Sequence, residues 1–382
     1  HDSVWGSSAR SRRRLLNFPS NLALSPVGDS DDERLRLLYV ALTRARDTLT
    51  LFAARTTESG KALVGVGAVP PSLFEQQSEL PLEQAAATAE NEWFTPLLDV
   101  SHYDRKLLLA PLLERYKLSA THFNNFLNVT RGGPEYFLLH NLLRLPKAMP
   151  ASAAYGSAIH GALQRAHQHF AATGKKRPVE DVLHDFAQLL QQTQMSHLDL
   201  EKFSFRGSKS LTAFLAQRYD SFSGKQLTER TFSNEYVAVN DAVLTGALDL
   251  IDIDHDEKTI FITDYKTGKA AKSWHGTTEY EKIKLHHYEQ QLMFYKLLVE
   301  HSRQFSGYTV TGARLEFIEP DAKGDIVLLD YTYNQDKLRQ FTTLVLEVWR
   351  RIQSLDFTQP DNYESSLGGI QRFEEDILQT TI

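Results

Sequence analysis

Two segments decide the fold, Leu244-Thr-Gly-Ala-Leu-Asp-Leu-Ile-Asp-Ile-Asp254 and Thr259-Ile-Phe-Ile-Thr-Asp-Tyr-Lys-Thr-Gly268. Both are rich in β-branched and apolar residues, and the polar segment His255-Asp-Glu-Lys258 separates them, so the sequence predicts a β-hairpin. If the turn is centred near residue 256, the numbers of paired residues add up to roughly 512 or 513. Asp249 then lies opposite residue 263 or 264, and two carboxylates distant in sequence, those of Asp249 and Asp264, become neighbours.

The hairpin carries residue types suited to phosphodiester hydrolysis. Asp264 and Lys266 are two positions apart, so their side chains point to the same face of the strand. Paired carboxylates on strands form a hard oxygen site for Mg²⁺ or Mn²⁺, and a lysine beside the metal can orient or deprotonate a water molecule. The competing interpretation is a strand-end carboxylate and a surface ion pair. The Gly246-x-x-Asp249 turn and the Asp264-x-Lys266-x-Gly268 run on one hairpin favour the functional interpretation.

Four segments occur in an order that resembles the RecB-type nucleases of the PD-(D/E)XK superfamily. They are Tyr155-Gly-Ser-Ala-Ile-His160, Thr245-Gly-Ala-Leu-Asp249, Thr263-Asp-Tyr-Lys-Thr-Gly268 and Gln291-Leu-Met-Phe-Tyr295. The resemblance covers residues 118–382. It implies an α/β fold with a PD-(D/E)XK core, a mixed sheet flanked by helices. It also implies a nuclease that depends on Mg²⁺ or Mn²⁺, cleaves DNA and acts in DNA repair or recombination.

The resemblance implies roles for single residues as well. The implied metal ligands are His160, Asp249, Asp264 and the backbone carbonyl of Tyr265, and the two aspartates are catalytic together with Lys266. A lone histidine is more often a packing residue of its helix, but the order of the four motifs favours a ligand. Gln291 and Tyr295 share one helix face and would contact the DNA backbone or order the site. Glu235, before the hairpin, is a further candidate acidic group.

Hydrophobic periodicity predicts the elements around the hairpin. We expect helices at residues 156–171, 181–194 and 280–300, a last amphipathic helix at 336–353, and strands at 232–254, 259–265, 309–318 and 326–331. Helices beside a mixed sheet indicate the α/β class. In some relatives four cysteines join the ends of the domain through an iron–sulfur cluster. This chain has no cysteine, so we expect no such cluster and a last helix that joins the ends by packing.

An upstream segment, Asp32-Glu-Arg-Leu-Arg-Leu-Leu-Tyr-Val-Ala-Leu-Thr-Arg-Ala-Arg46, resembles the last motif of UvrD/Rep-type superfamily 1 helicases. The resemblance implies that Arg44 contacts the γ-phosphate of ATP in the full-length protein; the competing interpretation is an ordinary amphipathic helix. No Gly-x-x-x-x-Gly-Lys-Ser/Thr sequence occurs, so ATP would bind only with motor domains absent from this chain. We expect the end of a helicase domain at 1–55, a linker at 56–106 and the nuclease domain at 107–382.

Composition sets the remaining expectations. A content of 24% charged residues is ordinary for a soluble globular protein. The net charge of −6, taken alone, argues mildly against nucleic-acid binding, but the distribution of charge matters more than the sum. The first residue is His1, so we expect part of a longer protein whose upstream helicase domains are its partners. No apolar run predicts a membrane span and none resembles a signal peptide. The absence of cysteine fits a cytoplasmic location. The expected substrate is single-stranded DNA. The alternatives are a catalytically inactive DNA-binding or scaffold module of a helicase complex, and a chain that acts mainly as the arginine-bearing end of the motor.

Overall fold

The computed structural model describes residues 39–40, 43, 105–147, 149–358 and 363–379. The chain divides into two units. One comprises residues 1–103 and 196–198, and few of its residues are described. The other comprises residues 104–195 and 199–382 and contains the sheet. Within the described ranges, no helix combines the length and the apolar character needed to span a lipid bilayer.

Along residues 105–379, six α-helices come first, followed by five strands, one long helix, two strands and two more helices. The helices are α1 (Arg105–Glu114), α2 (Ala120–Leu127), α3 (Gly133–Phe137), α4 (Ala151–Thr173), α5 (Val179–Gln191), α6 (His197–Arg218), α7 (Glu279–Glu300), α8 (Gln335–Ser354) and α9 (Leu367–Gln379). The strands are β1 (Gln226–Thr231), β2 (Val237–Val239), β3 (Ala242–Leu244), β4 (Ala247–Asp254), β5 (Thr259–Lys266), β6 (Thr309–Phe317) and β7 (Leu328–Tyr331).

Five strands form one mixed sheet in the order β1-β4-β5-β6-β7. All neighbouring pairs are antiparallel except β5 and β6, which are parallel. A parallel pair needs a long crossover connection, and α7 supplies it. Strands β2 and β3 form a separate small hairpin. The expected α/β fold, a mixed sheet flanked by helices, is therefore confirmed.

Helices cover the sheet on both faces because its strands bury side chains on both sides. Ile262 of β5 belongs to a core cluster with residues of α2, α7, α8 and α9, whereas Tyr265 belongs to a second cluster with residues of α4, α5 and α6. An odd number of positions separates these two residues, so they point to opposite faces. Each large apolar side chain buried in this way contributes about 1.5–3 kcal/mol. The site residues of β4 and β5 are thus held between two packed layers.

The start of α7 is fixed by its own sequence. The Thr278 side chain accepts a hydrogen bond from the Glu281 N–H, and the Glu281 carboxylate accepts one from the Thr278 N–H. This reciprocal capping satisfies backbone groups that a helix end leaves without partners. The helix agrees with the expected residues 280–300 and is buried through most of its second half.

The structure departs from the sequence-based prediction at three places. The region expected as one strand, 232–254, contains β2, β3 and β4 with a turn at Asn240, whose φ is +52°. Neither β1 nor α6 was predicted; β1 reads Gln-Leu-Thr-Glu-Arg-Thr, a mostly polar segment that gives little strand signal. The prediction that the helix at 336–353 is the last one was wrong, because α9 follows it. Glu374 of α9 accepts hydrogen bonds from His286 and Gln290 of α7.

Candidate active site

The hairpin of β4 and β5 brings the two predicted aspartates together. Leu250 pairs with Thr263, and this register continues to Asp254 and Thr259 at the turn. One step beyond the first pair, Asp249 lies opposite Asp264, which agrees with the pairing expected from the turn position. The hairpin is local in sequence, and its short polar turn fixes the register.

His160 of α4 reaches the Asp249 side chain from the helical layer. Its Nδ1 lies 3.0 Å from Asp249 Oδ1, and the Tyr265 backbone N–H donates to Asp249 Oδ2 over 2.8 Å. The sequence implied a role for the Tyr265 carbonyl, and the observed contact of this peptide with Asp249 is made by the N–H. Two directional contacts therefore hold the Asp249 carboxylate in place.

Glu229 joins these two residues, and sequence reasoning did not identify it. Thr228 pairs with Leu250 and Arg230 with Leu248, so Glu229 lies directly across from Asp249. One potential ligand atom each from His160, Glu229 and Asp249 lies within 4.8 Å of the others. We call these three residues the metal side of the site. The Glu229 backbone has a φ of +46°, a left-handed conformation uncommon outside glycine.

Asp264 and Lys266 belong to a second group, closed by the α7 helix. Lys266 Nζ lies 2.6 Å from Asp264 Oδ2 and donates to Gln291 Oε1 over 2.6 Å. Gln291 Nε2 in turn lies 2.6 Å from the Tyr295 hydroxyl. We call these four residues the lysine side. Tyr295 is nearly buried, so ordering the lysine fits this side chain better than contacting DNA.

Negative charge accumulates where the two sides meet. Burial raises the pKa of Asp264, and the Asp249 carboxylate adds to this, although the Lys266 ammonium opposes it. Burial and the Asp249 carboxylate also raise the pKa of Glu229. For His160, burial disfavours the protonated form, but the adjacent Asp249 carboxylate outweighs it and the pKa is raised. A cation placed among these groups would relieve their repulsion.

A cavity of about 500 Å³ opens onto the metal side. It is lined by Ala153, Gly156, Ser157, His160, Gly161, Gln164, Glu229 and Asp249. The Glu229 carboxylate has no hydrogen bond or ion pair with any residue in the described part of the chain. Two carboxylates and an imidazole facing one cavity fit a divalent cation such as Mg²⁺ or Mn²⁺, whose remaining positions water or a phosphate oxygen can fill.

The other predicted residues lie elsewhere. Glu235, considered as an additional acidic group, forms an ion pair with Arg230 and lines a different cavity with Tyr236 and Arg303. It is not part of the metal side, because it does not line the cavity that His160, Glu229 and Asp249 face. The segment expected to be a helicase motif, with Arg44, lies outside the described residues apart from positions 39, 40 and 43.

Comparison with known proteins agrees with this arrangement. The family model of the PD-(D/E)XK nuclease superfamily matches residues 117–364, well over half of the chain. The match includes all seven strands and both sides of the site. No curated protein matches the sequence. The chain therefore belongs to the PD-(D/E)XK nuclease superfamily.

Proposed function

We propose that the chain is a DNA nuclease that uses Mg²⁺ or Mn²⁺ to hydrolyse phosphodiester bonds, with a preference for single strands. One observation carries the proposal: an acidic cluster open to a cavity lies beside a lysine that hydrogen bonds hold in place. His160, Glu229 and Asp249 would hold the metal, and Asp264 would approach it from the neighbouring strand. The backbone carbonyl of Tyr265 remains a further candidate ligand.

The side chains of the site would have different roles in hydrolysis. A bound divalent cation would polarise the phosphodiester and lower the pKa of the attacking water. Lys266 has three N–H donors: one donates to Gln291, and a second can face the Asp264 carboxylate, with which the ammonium forms an ion pair. The third can donate to the attacking water or to a phosphate oxygen and offset the charge that develops there. Gln291 and Tyr295 keep the ammonium aligned, and Asp249 keeps its orientation through the Tyr265 N–H.

The proposal that helicase domains belong to the same protein rests on the sequence alone. We propose that the chain is the nuclease module of a helicase–nuclease in DNA repair or recombination, preceded by helicase domains of the same protein. The segment from Asp32 to Arg46 supports this, with Arg44 contacting ATP in the full-length protein. The present chain is then expected to hydrolyse no ATP.

The test is cleavage of labelled single-stranded DNA with Mg²⁺ or Mn²⁺. Purified chain is compared with Asp264→Ala and Lys266→Ala, and Asp330→Ala and Lys337→Ala serve as exposed controls away from the site. We expect metal-dependent cleavage that both site variants lose and both controls keep. Thermal unfolding of each variant checks that the fold is intact. DNA binding without cleavage, unchanged by either site substitution, would contradict the nuclease and indicate an inactive DNA-binding module.

A further inference from the structure

A second cavity, of about 390 Å³, lies beside the lysine side. Its walls are the loop that follows β5 and the first turns of α7. Tyr288 lines it, and the ring of Tyr288 is 4.3 Å from Lys266 Nζ. One lining residue, Tyr288, therefore lies next to the proposed catalytic lysine, although none of the lining residues belongs to either side of the site.

One face of α7 joins the cavity to the site. Tyr280, Lys284 and Tyr288 follow one another at intervals of four residues, so they share a helix face. Tyr280 and Tyr288 are separated by about 12 Å along the axis. Gln291 and Tyr295 continue the same face into the lysine side. An aromatic and basic track thus leads from the cavity to the catalytic lysine.

Among the three lysines that line this cavity, Lys284 is the one whose ammonium has no partner in the described part of the chain. Two other lysines of the wall are neutralised, since Lys269 pairs with Glu281 and Lys272 pairs with Asp321. The Lys284 side chain is half-buried and its Nζ lies 5.4 Å from the Tyr288 ring, but within the described ranges the ammonium makes no hydrogen bond or ion pair. Burial lowers its pKa, and the nearby Lys266 acts in the same direction. An anion beside Lys284 would be stabilised by both lysines.

The helix N-terminus does not offer an alternative anion site here. The Glu281 carboxylate already accepts from the backbone N–H groups of Thr277 and Thr278. Tyr280, by contrast, exposes 72% of its surface at the mouth of the cavity. Exposed aromatic rings beside a basic groove are the features that single-stranded nucleic acids use, because bases stack on the rings and the backbone follows the charge.

We propose that this cavity binds one unpaired nucleotide of a single-stranded nucleic acid, with its phosphate on Lys284 and its base against Tyr280. The inference rests on the proposed nuclease function and adds a subsite that selects for unpaired substrate. A base inside a duplex cannot enter the cavity without losing its pairing and stacking. The nucleotide that occupies the cavity would place a neighbouring phosphodiester near Lys266.

Binding of fluorescent oligonucleotides in Ca²⁺, chosen to suppress cleavage, tests the proposal. The ligands are oligo-dT, an oligomer of abasic nucleotides of equal length, and a blunt duplex. We expect the chain to bind oligo-dT at least about 5-fold more tightly than the abasic oligomer, since stacking of one base contributes about 1–3 kcal/mol. Tyr280→Ala should abolish this preference. Tyr236→Ala, which removes an equally exposed tyrosine at another cavity, should keep it.

The salt dependence of binding tests Lys284 separately. Lys284→Gln should reduce the slope of log Kd against log salt concentration by about 0.7, the value for one phosphate contact on a single strand. Lys282→Gln changes an exposed lysine that already pairs with Glu279, and it should leave the slope unchanged. Thermal unfolding confirms that the variants are folded. Equal binding of oligo-dT and the abasic oligomer, or an unchanged slope in Lys284→Gln, would overturn the subsite.

These measurements separate failure of the subsite from failure of the nuclease. If the wild-type chain cleaves DNA with Mg²⁺, and the wild type, Tyr280→Ala and Lys284→Gln all bind the oligonucleotides equally well, the nuclease function stands and the subsite is overturned. A chain that shows the expected binding differences but never cleaves would support the subsite and contradict the nuclease. Wild-type chain that binds no oligonucleotide would overturn the subsite.

Discussion

The metal side and the lysine side are adjacent, yet they differ in how far their polar groups are satisfied. The His160 side chain is 26% exposed, and Glu229 has no partner in the part of the chain that the structure describes. The Asp264 side chain is 3% exposed, and Lys266 is held by two oxygen atoms. The metal side thus has a carboxylate that is free to bind a ligand, whereas the polar groups of the lysine side hold the Lys266 ammonium in place. Substitutions on the metal side should therefore alter metal affinity, and substitutions on the lysine side should alter kcat.

The largest effect is expected from Asp249→Asn on the metal side. The amide keeps the shape of the side chain but removes the negative charge that would bind the metal, so we expect cleavage to fall on the order of 1,000-fold or more. Mn²⁺ affinity, measured by calorimetry, should fall as well. Asp254 lies on the same strand next to the turn, and Asp254→Asn should change neither the cleavage rate nor the Mn²⁺ affinity. Cleavage by Asp249→Asn at the wild-type rate would show that the metal side is not the site of hydrolysis.

A smaller effect, and of another kind, is expected from Gln291→Leu on the lysine side. Without its acceptor the Lys266 ammonium loses one of two restraints, and misplacement of a catalytic group should lower kcat about 10- to 100-fold. Mn²⁺ affinity should stay unchanged, because Gln291 is not on the metal side. Glu289→Gln, two positions earlier on α7 and paired with Lys337, provides the control. A loss of metal affinity in Gln291→Leu would remove the distinction between the two sides.

The smallest effect concerns the stability of the fold and depends on His167, which contacts Tyr265 of β5. His167 Nε2 contacts the Tyr265 hydroxyl at 2.8 Å, and burial lowers the pKa of His167 to about 3. The unfolded chain binds this proton near pH ~6.5, so stability should fall as the pH drops from there towards 3, by about 2 kcal/mol at pH 5. His167→Gln should weaken the fall of Tm between pH 7 and pH 5. His184 is exposed, and His184→Gln should leave the fall of Tm unchanged. Identical profiles of Tm against pH for the wild type and both variants would refute the assignment of this pH dependence to His167.

The sequence predicts those features that depend on neighbours along the chain. The β4–β5 hairpin and its register follow from a polar turn between two apolar runs, and α7 follows from its cap and its length. The contact of Lys266 with Gln291 depends on how α7 packs across the sheet, and no local pattern specifies it. Glu229 was missed for the same reason: its strand is mostly polar, and only pairing with β4 places it opposite Asp249.

The backbone conformation at Glu229 has a consequence for the evolution of stability in this protein. A φ of +46° in a residue with a side chain costs about 1 kcal/mol or more relative to glycine. Selection for a more stable fold alone would favour glycine there. The chain instead carries an acidic side chain at a strained position, with no partner among the residues that the structure describes. Position 229 is thus one where thermostability and activity are expected to conflict, and stabilising substitutions found there by screening should be inactive.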